Sequence, residues 1–228
     1  MKVPFLRCED SGGIYFRAPG LKAPHRFGTR ACRPFSLEVS ARQIHSDTVL
    51  YVDGAGNYTA DGLFTDKAGL AIAVRTADCV PILMYDEKAG VAAAVHAGWR
   101  GTAKGIVLRA LEKMFSLGAT AHSVGIAVGP CVCFDCYEVK EDFRSSVREG
   151  LGTVISGKFI REKDGELHAD VAGMNAELLR NAGIPDANIA ESGLCTCCLP
   201  DLFFSYRRDG AQGKCQTSVI RVPWRHAD

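Results

Sequence analysis

A chain of 228 residues with 47% hydrophobic content can bury a sizeable core and needs no second domain, so one domain over residues 1–228 is expected. Well-mixed charges with a formal balance of +1 leave no basic face, which argues against nucleic acid as a partner. The opening MKVPFLRCEDSGG has no apolar core of signal length and no later run is long enough to span a bilayer, so a cytoplasmic protein without a membrane partner is expected.

Residues 1–24 mix Gly, Pro and charge, a weakly determined N-terminal segment in which Ile14-Tyr15-Phe16 suits an edge strand. His25 to Arg30 reads as a short strand, and Arg30 suits either solvent or a site. The next stretch, up to Arg42, gives no decisive pattern. Gln43-Ile44-His45-Ser46-Asp47 then leads into a strand over Thr48 to Val52, closed by turn residues from Asp53 to Asn57. Past Asp61 to Asp66, another buried strand runs from Leu70 to Arg75.

The strongest signal lies between Thr76 and Gly101. Two apolar runs, Val80 to Met84 and Val91 to Val95, flank a polar turn and are expected as buried strands. Cys79 precedes the first and His96 closes the second. An apolar strand gains nothing in stability from ending on a thiol or an imidazole, so this placement points to chemistry. Gly98-Trp99-Arg100-Gly101 then turns the chain into a helix whose apolar face is Ile106, Val107, Ala110, Leu111, Met114 and Phe115, with Thr102 as the expected N-cap. Backbone N–H groups at that start, with the planar guanidinium of Arg100, predict an anion contact.

Val124 to Val128 reads as a strand, and Tyr137 to Gly150 as a helix stopped by glycine with Val139, Phe143 and Val147 on its apolar face. A hairpin is expected through Lys163-Asp164-Gly165, and Asp170 as the cap of a helix that ends before Gly183. Strand alternation after Phe203-Phe204 predicts one of Arg207 and Arg208 pointing inward and the other out. A last strand covers Thr217 to Val222. Strands outnumber helices and often neighbour each other, which predicts mixed sheets and not regular βαβ alternation.

Ten cysteines bunch in Cys131-Val-Cys133-Phe-Asp-Cys136 and Cys195-Thr-Cys197-Cys198. Without an export signal they are expected as reduced thiols. Cys133 and Cys136 have the two-residue gap of a zinc knuckle; the second bunch is read as lacking it, so ordinary buried or half-buried thiols are preferred to a structural zinc. Six histidines are present: His25, His45, His96, His122, His168 and His226. Cys79 and His96 end adjacent strands, which brings them within one strand spacing, and a catalytic zinc with an open position needs a third ligand. His45, flanked by Gln43 and Asp47, is the choice from local context; spacing does not separate it from His168.

The segments QIHSD, ADGLFTD, TADCVP, VHAGWRG, GPCVCFDCYEV and FFSYRRD, in that order, resemble the YfiH family, whose members are also described as laccase-like polyphenol oxidases. The resemblance covers most of the chain from His25 onward. It implies an α+β fold, a three-layer domain of mixed β-sheets and packed helices. It further implies zinc held by His45, Cys79 and His96, and purine nucleoside phosphorylase activity on adenosine, inosine and methylthioadenosine, with adenosine deaminase activity beside it. Copper is the alternative metal, through the family's older assignment to phenol oxidation. One departure stands out: only ACRPFSLEVSAR lies between Arg30 and Gln43, where relatives have a longer stretch that contributes to the substrate pocket.

Two imidazoles and a thiolate leave one tetrahedral position on zinc, which lowers the pKa of bound water towards about 7, as hydrolytic deamination requires. Asp78, beside Cys79, is the candidate proton carrier, with Asp61 near; Asp78 would equally serve to orient His96. Phosphorolysis needs a phosphate anchor, for which Arg100 is the candidate, with Gln43 beside it on the substrate; the bland reading of Arg100 is a surface residue paired with a carboxylate. Two His and one Cys also match a blue-copper set, but six histidines with three assigned do not supply the further cluster of a multicopper oxidase. A metal-free alternative makes Cys79 a nucleophile with His96 as its base. A non-catalytic binding role is the third reading.

Overall fold

Continuous apolar runs such as Val80 to Met84 belong to strands covered on both faces, and the centre of the fold is such a sheet. A computed structural model of the chain describes residues 4–33, 38–211 and 213–224; Pro34 to Leu37, in the short segment before Gln43, and His226 lie outside the described residues. Among these, the central sheet orders β15 (Ile189–Glu191), β11 (Val124–Val128), β9 (Val80–Asp86), β10 (Val91–Ala97), β7 (Gly62–Thr65) and β5 (Val49–Tyr51). The outer sheet orders β1 (Leu6–Asp10), β2 (Gly13–Arg17), β3 (His25–Gly28), β16 (Gln216–Arg221), β8 (Ala71–Thr76), β4 (Glu38–Arg42) and β6 (Tyr58–Thr59). A small antiparallel sheet joins β12 (Glu138–Val139), β14 (Glu166–Ala169) and β13 (Ile160–Lys163). The helices are α1 (Trp99–Ala103), α2 (Ile106–Phe115), α3 (Glu141–Phe159), α4 (Val171–Asn181) and α5 (Tyr206–Asp209).

Strand alternation builds the layers. On β9, Val80, Ile82 and Met84 pack with α2, α3 and α4, while Leu83 and Tyr85 pack with the outer sheet. On β10, Val91, Ala93, Val95 and Ala97 face the helices, and Ala92 and Ala94 face the other way. Ile82, Leu83 and Met84 are fully buried, each stabilising the fold by about 1.5–3 kcal/mol relative to exposure. The pairs β4–β8, β4–β6, β5–β7 and β11–β15 are parallel within otherwise antiparallel ladders, so the sheets are mixed as expected. The result is outer sheet, central sheet and helices: three layers, α+β.

Several local expectations need correction. Thr102 caps nothing: it lies inside α1, fully buried, and its Oγ1 accepts a hydrogen bond from Asn175 Nδ2 at 2.9 Å. The expected single helix is two, broken where Gly105 takes a left-handed φ of 74°. Gly150 does not stop a helix. A Cβ there would lie 1.9 Å from the Ala103 carbonyl oxygen, so the glycine lets α3 touch α1, and the kink falls at Gly152 instead. Val139 is not on that helix but in β12, whose pairing with β14 delays the helix to Glu141. Ile14-Tyr15-Phe16 lies in β2, inside the edge strand β1, and Phe16 is buried. Arg207 and Arg208 sit on the short α5 and not on a strand, so alternation does not govern them.

Other features match the reading. Asp170 caps α4 by accepting from Gly173 N at 2.8 Å, and Asp164 and Gly165, with φ of 54° and 86°, turn the β13–β14 hairpin. The cysteine bunches meet. The sulfur atoms of Cys133, Cys136, Cys195 and Cys198 all lie within 4.8 Å of one another, and the expectation that the second bunch lacks the two-residue gap is corrected, since Thr196 and Cys197 separate Cys195 from Cys198.

Candidate metal centre

Three separate elements bring His45, Cys79 and His96 together. His45 lies in the loop between β4 and β5, Cys79 in the turn between β8 and β9, and His96 near the end of β10. The β9–β10 register pairs His96 with Pro81 and Ala97 with Val80, which sets the Cys79 turn beside His96. The three donor atoms lie within 4.8 Å of one another, with His45 Nε2 3.9 Å from Cys79 Sγ. The imidazole rings meet edge to face, centroids 4.9 Å apart.

A buried carboxylate arranges this group. Asp61, directly before β7, accepts from His96 Nδ1 at 2.8 Å, from the backbone N–H groups of Ile44, His45 and Ser46 at 3.2, 2.9 and 2.6 Å, and from Ser46 Oγ at 2.7 Å. Because Nδ1 of His96 is engaged, its Nε2 is the nitrogen left for a metal. The same carboxylate holds the His45 loop, where His45 takes φ 60°, a region most non-glycine residues avoid. Burial disfavours charge on Asp61, but the hydrogen bonds from His96 and Ser46 outweigh it and keep the carboxyl well below the usual range. Burial likewise opposes the imidazolium of His96, yet Asp61 and Cys79 push its pKa up to about 9. The Cys79 thiol, which burial would raise, is drawn down to about 7 by His45 and His96.

Asp78 is turned away from this work. Its carboxylate accepts from Thr196 Oγ1 at 2.6 Å, Ser205 Oγ at 3.1 Å and Arg207 N at 2.6 Å, and its own φ is 87°. The expectation that Asp78 orients His96 is therefore corrected: Asp61 does so, and Asp78 anchors the 196–207 segment while holding the strained turn that presents Cys79. Gln43 is also engaged elsewhere. Its amide donates to Arg75 O at 2.7 Å and accepts from Arg75 N at 2.8 Å, extending the ladder of β8. Arg100 lies exposed on the five-residue α1, its guanidinium 4.3 Å from the Trp99 ring centre, and so has no long helix start behind it. His168 belongs elsewhere, with its Nδ1 3.0 Å from Phe134 O, and His25 is bonded to Ala18 N and Ala23 O.

The donors open on a cavity of about 1290 Å³, flanked by Trp99, Tyr137, Phe204 and Tyr206 and by the cations Arg100 and Arg207. The residues present fit a metal. Two imidazoles and one low-pKa thiol converge with an oriented second partner behind one of them. The backbone also makes room: a Cβ on Gly98 would lie 3.0 Å from His45 Cδ2 and 3.3 Å from Cys79 Sγ.

The family model for multi-copper polyphenol oxidoreductase laccase matches residues 27–222. The chain belongs to this family. A solved YfiH-family structure, the hypothetical protein YfiH of Bacillus licheniformis, is 34% identical, covers 81% of this chain and 73% of its own, and superposes with a TM-score of 0.76. A purine nucleoside phosphorylase of Deinococcus radiodurans is 36% identical over 244 residues, 92% of this chain and 93% of that protein. Adenosine deaminase RL5, from an unknown prokaryotic organism, is 36% identical over 195 residues, 80% of this chain and 74% of that protein. The expected YfiH membership and three-layer fold are borne out.

Sequence reasoning named the three donors but understated Asp61 and did not single out Thr196, Tyr137 or Phe204. Asp61 did carry a signal, as an acid directly before the wholly buried β7. A buried carboxylate needs several donors, and here the His45 loop and His96 supply them.

Proposed function

We propose that the chain is a zinc-dependent purine nucleoside phosphorylase that also deaminates adenosine, with His45, Cys79 and His96 as the metal ligands. What carries this reading is the convergence of those three donors, with Asp61 behind His96, on a cavity large enough for a nucleoside and phosphate. The names of the relatives at 36% identity agree with it. Zinc held by these residues would supply Lewis acidity towards water and substrate heteroatoms. Asp61 keeps a proton on His96 Nδ1 and so fixes the tautomer and the ring plane. Tyr137, Trp99 and Phe204 offer flat apolar walls for a purine. Arg100, ordered over Trp99, and Arg207, ordered over Tyr137, are the phosphate contacts. In phosphorolysis a phosphate oxygen bonds to C1′ as the bond to the purine nitrogen breaks; in deamination water adds at C6 and ammonia leaves. Asp78 is a positioning residue in this scheme, and Gln43 shapes the rim.

Adenosine incubated with the zinc-loaded protein should yield inosine alone without phosphate; with phosphate, adenine and ribose phosphate should appear, beside inosine and the hypoxanthine its phosphorolysis gives. Unchanged adenosine under both conditions contradicts the proposal. A second reading rests on the thiol of Cys79, drawn down to about 7 with His45 at 3.9 Å: a metal-free hydrolase using Cys79 and His96. Protein purified without added metal that holds no zinc at His45, Cys79 and His96 and alkylates stoichiometrically at Cys79 would favour it. The copper oxidase reading has less support, because His25, His122 and His168 do not join any converging donor group among the described residues.

A further inference from the structure

Away from the cavity's donors, four cysteines form a second centre. Cys133 precedes and Cys136 ends the 3₁₀ turn after β11, and Cys195 and Cys198 sit on the loop after β15, 62 residues further along. Both pairs have two intervening residues, so each makes a tight turn that points two sulfurs the same way. The first turn is closed by Cys136 N donating to Cys133 O at 3.1 Å. Cys133 N donates to Cys195 Sγ at 3.3 Å, the backbone N–H to sulfur contact that steadies a thiolate. Cys136 Sγ and Cys198 Sγ are 3.3 Å apart, and all four sulfurs lie within 4.8 Å of one another. A tetrahedral zinc with Zn–S bonds of about 2.3 Å needs sulfurs about 3.8 Å apart, in the middle of that range.

The loops are held in place by their own backbones. Cys131 and Cys195 form a parallel bridge, in which Cys131 N donates to Leu194 O and Thr196 N to Cys131 O. Arg208 Nη1 donates to the carbonyl oxygens of Thr196 and Cys197 at 2.9 and 3.0 Å. Cys131 and Cys197, the other two members of the bunches, are outside the sulfur cluster.

We infer that Cys133, Cys136, Cys195 and Cys198 bind a structural zinc ion as a closed tetrathiolate. Four protein ligands leave no open position, so the ion does no chemistry; it clamps two loops that wall the cavity. Val132 N donates to Asp78 O and Thr196 Oγ1 to the Asp78 carboxylate, one from each clamped loop, so the clamp braces the turn that carries Cys79. Tyr137, next to Cys136, lines the cavity itself. Thiolate sulfur selects zinc over the hard cations, and iron is the alternative for four thiolates.

The test uses the whole protein purified under reducing conditions without added metal. Zinc analysis of wild type and Cys198→Ser should show one equivalent per chain lost in the variant. Loading with cobalt should give intense thiolate-to-metal absorption in wild type that survives in His96→Ala, because that variant leaves all four thiolates in place. Should Cys198→Ser fail to fold, alkylation mapping of native wild type decides instead. Cys198 and Cys215 are both exposed, so Cys198 should resist alkylation until a strong chelator is added, while Cys215 reacts at once. Equal reactivity of the two thiols, an unchanged zinc content in a folded Cys198→Ser, iron in place of zinc, or a Cys136–Cys198 disulfide in the reduced preparation would each overturn the inference. None of these results depends on turnover of any nucleoside.

Discussion

Replacing Asp61 with Asn keeps the size of the side chain and removes one oxygen and the charge. Either orientation of the amide strands buried donors. With nitrogen in place of Oδ1, His45 N and His96 Nδ1 lose their acceptor; with nitrogen in place of Oδ2, Ile44 N and the two groups of Ser46 do. Each buried partner left unsatisfied costs about 1–3 kcal/mol, and breaking a buried charge pair costs about 3–5 kcal/mol, so a stability loss of about 3–5 kcal/mol is expected. The His96 ring also loses the acceptor that fixes its tautomer, for which a 10–100-fold fall in zinc affinity is the usual scale. Urea unfolding of chelator-treated protein measures the first effect and zinc competition with a chromophoric chelator the second. A folded Asp61→Asn within about 1 kcal/mol of wild type, with unchanged affinity, would refute the role assigned to this carboxylate.

Gly98→Ala should weaken zinc binding at His45 and Cys79 with little effect on unfolding, since the atoms nearest its new Cβ belong to the side chains of His45, Cys79 and His96; unchanged metal content in the variant would show that the close approach is unimportant. Burial pushes the His25 imidazole down to about 4 from 6.5, so between those values the unfolded chain binds a proton that the folded chain does not. Stability contributed by this group is therefore complete above about 6.5 and lost as pH falls towards 4, by about 3 kcal/mol in all, and unfolding curves for His25→Gln should show a shallower acid slope than wild type.

Features set by neighbouring residues were legible in the chain. Asp170 caps its helix through a contact three residues away, and the Asp164-Gly165 turn needs only residues that accept positive φ. The Val80 to Met84 and Val91 to Val95 runs announced a doubly covered sheet because they are apolar without alternation, and every position in β9 and β10 is indeed buried. What escaped depended on distant partners. Gly105 and Gly150 sit in ordinary helical patterns, yet the first breaks the helix with a left-handed φ and the second lets α3 touch α1, a difference set by packing and not by the local pattern. Asp61 meets its imidazole 35 residues away, and the cysteine pairs meet across 62, distances over which no local periodicity reports. The candidate metal donors Cys79 and His96 were visible because they interrupt apolar surroundings; His45 came from the resemblance and from local context.

The most direct test measures zinc content and adenosine turnover on the same preparations of wild type and His96→Ala. The variant should lose one zinc equivalent per chain and all turnover, while keeping its folded structure. Full activity in a His96→Ala protein that has lost that zinc would contradict the account.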